Sequence, residues 1–542
     1  MALGGLGEIG MNCAILECRG SIIIIDCGVS FTDDEAFGVD VLLPDFEWLI
    51  ERVEQIEGLI ITHGHQDHIG GAAWLLEQID IPVFAPRFAL KMLESALGER
   101  NLLEESQLEE YDETTRLKLG PFTFEFLRMN HSIPDTYAFC VNTPVGRLFH
   151  TADFKIDSLP FGEAPMSLTR LATLTDPGIR AMFSDSTNVE RPGSAGSEAL
   201  VAASLAEHCR TLPGRVIVTM FSTNVFRVQA LIKAAQATGR RLMLLGRSLQ
   251  RHVATARAIG IIQVDDASIF ADLSEWRSIA PDKLIVACTG SQAQPQSALP
   301  RMLARQLQGA IIEPGDAVLF SARVIPGNDP VIGTLKDSIV RTGARVIDDP
   351  SVHVSGHAFR DELALMMKLV RPQELIPVHG YFRFLHAHAQ LAHENGIHRT
   401  HLIDNGDVLE FTPDTTTRRT RLSFRKVAAS GEILDYIDGP ALKDRALLAS
   451  RGLVVISVTI DEAGLLLRAP DVVNRGAWQD DFVEESMIDG LTEQVRAAVA
   501  AVRSRPDTVA DDVRDAVFSS ARRFLKHKLQ RKPFLEVMVG TV

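Results

Sequence analysis

"ITHGHQDHIGG", residues 61–71, places His63, His65, Asp67 and His68 within six consecutive positions. The run follows the apolar "GLIIT" (58–62) and leads into "GGAAWLLEQI" (70–79). The first reads as a buried strand and the second as a helix, so the histidines occupy a loop at a strand's C-terminal end, where α/β folds bind ligands. One ion does not comfortably accept four side chains from so short a loop. Two ions do: His63 and His65 alternate toward one, while Asp67 and His68 reach the other. Imidazole and carboxylate suit Zn²⁺ or Mn²⁺, and such sites keep a position open for water, as catalytic rather than structural zinc does. The plain alternative is a polar loop with chance histidines, and the density of ligating groups argues against it.

Two ions ~3.5–4 Å apart need a bridging ligand and further donors. The candidates all end apolar strands. Asp153 in "HTADF" is well placed to bridge, and His131 in "NHSIPD" and His379 in "PVHGY" add imidazoles. Asp26 in "IIIIDCG" ends the first strand and could orient a ligand histidine from behind. His150, His208, His393, His398 and His401 lack this context and read as structural or surface residues. His252, His386, His388 and His527 lie on helices and are expected to be exposed.

The chain has 542 residues, too many for one hydrophobic core, and suggests two to four domains. No apolar run approaches the ~18–20 residues that span a bilayer. "MALGGLGEIGMN" has no basic n-region and no long apolar core, so it does not read as a signal peptide. The six cysteines form no CxxC pair and read as buried, reduced thiols of a cytosolic protein. A net charge of −15 argues weakly against nucleic acid, but it does not locate charge. "RRFLKHKLQRK" (522–532) carries six Lys or Arg and no acid, and "GRRLMLLGRSLQR" (239–251) carries Arg240, Arg241, Arg247 and Arg251 and no acid. Each is either a solvated face or a track for a polyanion.

Before residue 190, strands such as "SIIIIDC" (21–27), "IPVFA" (81–85), "FTFEFLRMN" (122–130) and "GRLFHTADF" (146–154) mix with helices, which indicates a sheet core with helices outside. After the break "ERPGSAGSE" (190–198), strands and helices alternate, as in a parallel α/β unit. Helices over about 359–370 and 382–395 flank the strand "ELIPV" (374–378), and "TPDTTTRR" (412–419) reads as a loop. "GLVVISVTI" (452–460), "GLLLRA" (464–469), helices over about 484–503 and 507–530, and "FLEVMVG" (534–540) make a final β-α-α-β pattern.

HxHxDH, with a downstream His and then Asp, is similar to the metal-ligand signature of the metallo-β-lactamase fold. "LGGLGEIGMN" at the start, "GVD" at 38, "SDSTNVERPG" at 184, "TGSQ" at 289, "RVIPGN" at 323, "HVSGHA" at 353 and "PVHG" at 377 narrow this. With them the chain closely resembles, along nearly its whole length, the bacterial ribonuclease J family of the β-CASP branch. The resemblance implies an α/β fold: an αββα metallo-β-lactamase sandwich, an inserted β-CASP α/β domain and a small α+β C-terminal domain. The implied domains are 1–197 and 351–420 for the two parts of the sandwich, 198–350 for the β-CASP insertion, 421–439 for a linker and 440–542 for an oligomerisation domain. The resemblance gives His63, His65, His131 and Asp153 to one ion and Asp67, His68, Asp153 and His379 to the other, with Asp185 as a supporting acid.

The implied cofactor is two Zn²⁺ per subunit, with Mn²⁺ or Mg²⁺ as alternative activating metals. The implied activity is hydrolysis of single-stranded RNA, 5′ to 3′, from 5′-monophosphate ends, with internal cuts also possible, by a cytoplasmic homodimer or homotetramer. Asp67, His68 and Asp185 would serve the chemistry, with His353, Ser355 and His357 donating hydrogen bonds to the phosphate. Arg247, Ser248, Ser291 and Arg323 are candidate linings of a 5′-phosphate pocket. Three departures from the family pattern stand out: Ala293 and Gln294 after "TGSQ", Phe226 where histidine is common, and Tyr381 where glutamate is common. The competing readings are a DNA-processing β-CASP nuclease, a small-molecule hydrolase on the same scaffold, and a non-catalytic RNA-binding protein.

Overall fold

The computed structural model describes residues 1–31, 38–325, 328–419, 421–478, 481–503 and 510–542. Positions 326–327 of "RVIPGN" and 507–509 of the last helix lie outside the described residues. The chain divides into two units. One comprises Met1–Phe31 with Leu42–Lys426, and the other comprises Val427–Val542 with a short N-terminal segment ending at Val41.

In the first unit two sheets face each other. The six-stranded first sheet runs Ala2–Gly4, Cys13–Cys18, Ser21–Ile25, Ile56–Ile60, Val83–Ala85 and Leu108–Glu110 in spatial order. It is antiparallel at its N-terminal edge and parallel from Ser21–Ile25 onward. The run Ile22–Ile25 is fully buried, as a strand covered on both faces requires. The seven-stranded second sheet contains Phe122–Met129, whose alternation sends Phe122, Phe124 and Phe126 into the space between the sheets. There they meet Ile23, Ile25, Ile60 and Phe84 of the first sheet. The opposite face of the second sheet packs Leu127, Met129 and Met182 against Leu171, Met366 and Leu391 from helices.

Ala181–Asp185 pairs in parallel with Glu374–Val378, so the chain leaves this sheet and returns to the adjacent position. Between them lies a six-stranded, all-parallel sheet. Its order is Phe270–Ala271, Arg241–Leu245, Leu284–Cys288, Val216–Thr219, Ala317–Phe320 and Arg345–Ile347. Helices cover both faces, giving two apolar clusters, and the strands are continuous apolar runs. The loops at 220–224, 289–292 and 321–323 and the turn at Gly246 all leave the C-terminal edge of this sheet, the edge where parallel sheets present ligand-binding groups.

The second unit packs Leu453–Ile460, Asp471–Arg475 and Phe534–Thr541 as a sheet against the helices Asp481–Arg503 and Ala510–Leu529. The strand expected at 464–469 is replaced by Asp471–Arg475. A turn closed by Leu465 N donating to the Asp461 carboxylate leaves only Leu466 to bridge Ile460. The expected loop at 412–419 is part of a hairpin, Leu409–Phe411 with Thr416–Arg418, closed between Thr412 and Thr415. Its β-branched threonines suit the strand. A second hairpin, Lys426–Ser430 with Ile433–Tyr436, lies inside the span read as a linker. All six cysteines are free, and all but Cys18 are buried. Among the described residues no helix is long and apolar enough to cross a membrane.

Candidate metal centre

The seven ligating side chains expected from sequence converge at the C-terminal strand ends of the two facing sheets. They form two overlapping groups: His63, His65, His131 and Asp153, and Asp67, His68, Asp153 and His379. Asp153 Oδ2 is common to both. It lies 3.8 Å from Nε2 of His63 and of His131, 3.3 Å from Nε2 of His68 and 3.7 Å from Nε2 of His379. His65 turns Nδ1 inward, 3.2 Å from His63 Nε2 and 3.1 Å from His131 Nε2. Asp67 Oδ2 is 3.2 Å from His379 Nε2 and 3.5 Å from His68 Nε2. A tetrahedral zinc with ~2.0–2.1 Å arms has ligand–ligand edges of about 3.3 Å, close to these separations.

The outward-facing nitrogens settle which ring atoms can bind a cation. A carbonyl only accepts, so His131 Nδ1 donates to Gly356 O at 2.7 Å and its Nε2 keeps a lone pair. His68 Nδ1 donates to Asp26 Oδ2 at 2.8 Å. Thr62 gives its hydroxyl proton to Asp26, so at 3.0 Å it accepts from His63 Nδ1. Thr187 likewise gives its proton to Asp185 and accepts from His379 Nδ1 at 2.7 Å. His63 and His131 thus present bare Nε2 atoms toward one carboxylate oxygen, while His68 Nε2 also meets Asn12 Nδ2 at 3.1 Å and His379 Nε2 also meets Asp67 Oδ2 at 3.2 Å. Asp26, Ala152 and His379 hold left-handed backbone, with φ of 58°, 50° and 54°. Each costs on the order of 1–2 kcal/mol for a non-glycine residue, a strain that recurs at functional strand ends.

Asp26, Asp153 and Asp185 are buried and Asp67 is mostly so, and among the described residues their ionic partners are histidines only. With neutral imidazoles the pocket carries four negative charges, which two divalent cations would balance. Burial opposes ionisation of Asp67 and Asp153, but the facing His68 and His379 hold both carboxyls well below the usual range. Burial also pushes His65 down to about 4 and lowers His63 and His131. His68 and His379, desolvated but ringed by carboxylates, are raised. Buried carboxylates without Lys or Arg, together with converging bare nitrogens, fit a pair of hard-to-borderline dications.

Asp185 Oδ2 holds His357 Nδ1 at 2.8 Å, and Asp153, Asp185, His357 and His379 make a third group of convergent donors. Ser355 Oγ accepts from Asn188 Nδ2 at 2.9 Å and from the His357 amide at 3.1 Å, so its own proton is free to donate. Arg323 reaches Asn188 Oδ1 at 2.5 Å and its loop is tied down by Gln292, whose amide donates to Arg323 O at 2.8 Å. Ser291 is buried in the same edge loop, and Arg247 and Ser248 open the helix Arg247–Ala258, with Arg247 exposed.

Some expectations change. The basic run 239–251 is not a free cationic track. Arg240 is buried on the carbonyls of Gly214 and Leu212, Arg241 pairs with Glu275 at 2.5 Å, and Arg251 pairs with Glu99 at 2.6 Å. His252 and His388 are buried rather than exposed, because each lies on the apolar stripe of its helix. His388 Nδ1 contacts Ser186 Oγ at 3.0 Å, behind the loop that carries Asp185. Sequence reading did not reach Thr62, Thr187 or Glu362. Glu362 accepts amides from Ile156, Ala195 and Phe359 at 2.7–2.9 Å and so joins three separate loops around the centre. A Glu three residues into a helix marks such a cap, but not its distant donors.

Comparison with known proteins adds an independent line. Four family models match: "Metallo-beta-lactamase superfamily" over residues 7–156, "Ribonuclease J, beta-CASP domain" over 213–339, "Zn-dependent metallo-hydrolase RNA specificity domain" over 350–402, and "Ribonuclease J C-terminal domain" over 440–542. A Streptococcus pyogenes serotype M3 protein named Ribonuclease J 1 is 34% identical, covering 100% of this chain and 97% of its own length. Ribonuclease J2 of Bacillus subtilis is 32% identical, covering 99% of this chain and 97% of its own. Ribonuclease J of Mycobacterium tuberculosis is 35% identical, covering 95% and 93%. A crystal structure of a protein of unknown function from Enterococcus faecalis V583 superposes with a TM-score of 0.51 at 15% identity. It covers 74% of this chain and 97% of its own, a likeness of fold alone.

Proposed function

We propose, from the premise that this chain belongs to the ribonuclease J family, that it is a metal-dependent ribonuclease. It hydrolyses phosphodiester bonds of single-stranded RNA from the 5′ end, prefers a 5′-monophosphate and also cuts internally, in RNA decay and rRNA or mRNA processing. The observation that carries the reading is the convergence of four Nε2 atoms on Asp153 Oδ2, beside the loop that bears Ser355 and His357.

His63, His65, His131 and Asp153 would hold one Zn²⁺ and Asp67, His68, Asp153 and His379 the other. Bound there, two divalent cations supply a low-pKa water and neutralise charge on the phosphate. Asp26, Thr62, Thr187 and Gly356 O keep the imidazoles in the tautomer that binds. Asp185 holds His357 with Nε2 turned outward, and Ser355 offers its hydroxyl proton, so both can donate to non-bridging phosphate oxygens. Residues 198–350 form the domain that confines the RNA strand, with Arg323, Ser291, Arg247 and Ser248 toward the 5′-phosphate. Residues 440–542 join copies into a homodimer or homotetramer that acts in the cytoplasm.

The test is digestion of one RNA bearing either a 5′-monophosphate or a 5′-triphosphate, alongside the same sequence as DNA, with and without chelator. Mononucleotides should be released from the monophosphorylated RNA and release should stop on chelation. Cleavage of DNA with no cleavage of RNA would replace this reading by a DNA-processing one.

A further inference from the structure

We propose that Arg227 is a positioning residue for the reaction. By donating to Nδ1 of His353 it fixes that imidazole as the neutral Nε2–H tautomer, a hydrogen-bond donor to a substrate phosphate oxygen and not the acid for the leaving oxygen. The last clause rests on the ribonuclease reading above; the tautomer does not.

Arg227 is 2% exposed, in the first turn of the helix Val225–Thr238. One terminal nitrogen donates to Glu198 Oε1 at 2.7 Å. The other donates to the Ser321 carbonyl and lies 3.2 Å from His353 Nδ1. Guanidinium carries five N–H donors, has no acceptor and does not lose its proton in proteins. The facing ring nitrogen must therefore be the acceptor, which leaves the imidazole's one proton on Nε2. Ser321 holds the backbone of the same turn, its hydroxyl donating to Val352 O at 2.6 Å. Ring and backbone of His353 are thus anchored to one edge of the inserted sheet.

A second protonation is opposed from every side. Burial comes first, then Arg227, Arg323, Lys155 and Arg191, and together they hold His353 well below the usual imidazole range. The acids that pair with two of these cations are engaged by them: Glu198 with Arg227 at 2.7 Å, and Asp157 with Lys155 at 3.2 Å. His353 Nε2 is buried and has no hydrogen-bond partner among the described residues. An unpaired buried donor in a native site calls for an acceptor. One in the field of the Arg323 and Arg191 guanidiniums, two residues from the Ser355 hydroxyl, suits an anionic oxygen.

The experiment uses the metal-loaded full chain. Long-range ¹H–¹⁵N correlation of labelled histidine, with His353 assigned by its loss in His353→Gln, should show a bare Nδ1 and a protonated Nε2 from about pH 6 to 8. In steady-state RNA cleavage, His353→Gln, whose amide nitrogen can stand near the Nε2 position, should keep kcat within about tenfold of the parent. His353→Asn, whose amide stands near Nδ1, should lose about 10²–10³-fold. Neither should move the limbs of the pH profile. Arg227→Met combined with Glu198→Gln, which leaves no buried charge unpaired, should put a proton on Nδ1 and add a limb to the profile. An Nδ1-protonated or charged His353 in the parent protein, or a limb that vanishes in His353→Gln, would overturn the proposal. If the parent protein fails to cut RNA, the phosphate clause falls with the ribonuclease reading, and the NMR result alone judges the tautomer.

Discussion

The Nδ1 of His131 donates to the carbonyl of Gly356 at 2.7 Å, joining residues 225 positions apart in the chain. One bond sets the tautomer of a candidate metal-ligating imidazole and holds the loop from which Ser355 and His357 project. A Cβ on residue 356 would stand 2.8 Å from Ser132 Oγ and 2.9 Å from the His131 ring. Gly356→Ala should therefore push the loop off the imidazole. Metal affinity, measured by competition with a chromogenic chelator, should fall about 10–100-fold. Unchanged affinity would mean the loop has room to shift.

Asp26 makes the equivalent bond to His68 and also accepts the amide and hydroxyl of Thr62. Asp26→Asn keeps the size but offers an amide where two donors converge. We expect about a 10–100-fold loss in affinity for the ion on the His68 side, with the helix content seen by circular dichroism unchanged. A variant that binds both ions like the parent would show that His68 needs no carboxylate behind it.

Asp67 belongs to one ligand group and Asp153 to both. Asp67→Ala should halve the metal content found by elemental analysis and lower RNA cleavage by at least about 10²-fold, while RNA binding in a gel-shift assay persists. Full activity in this variant would remove Asp67 from the ligand set.

Glu163, outside the ligand groups, offers a pH test. Burial pushes its carboxyl up to about 8, against the pull of the Asn130 amide at 2.9 Å and nearby cations. Between its ordinary value of 4.5 and about 8 the folded chain keeps a proton that the unfolded chain has released. Stability from this group is therefore present below that window and lost as pH rises through it. Thermal unfolding followed by scanning fluorimetry should show Tm falling between pH 6 and pH 9 more steeply for the parent than for Glu163→Gln. Parallel curves would place that carboxyl in solvent.

The candidate ligand loop was legible because four of its donors fall within six positions and because "GLIIT" is too apolar to be anything but a covered strand. Asp26 was legible for a related reason: a carboxylate at the end of four buried isoleucines needs a partner, and His68 is that partner. His379 was legible because it ends the apolar strand "ELIPV", a context that His401 lacks; His401 instead pairs with Glu374 at 2.8 Å. Arg227 and Glu362 escaped because their meaning is wholly tertiary. Each looks like an ordinary helical charge until the strand ends that it binds are brought beside it. His388 was misplaced for the opposite reason: a polar residue on a helix was read as exposed, although its i−4 and i+4 neighbours Phe384 and Ala392 are buried.

Asp67 and His379 face each other at 3.2 Å but are 312 residues apart in the chain. A ribosome delivers the N-terminal part first, at ~5–20 residues per second. For that interval the nascent protein has His63, His65, His131 and Asp153 but no His379. Only when the whole inserted sheet has been synthesised can the second ligand group close. The order of synthesis thus acts as a timer: the second ligand group stays open until the chain of the inserted domain has been made.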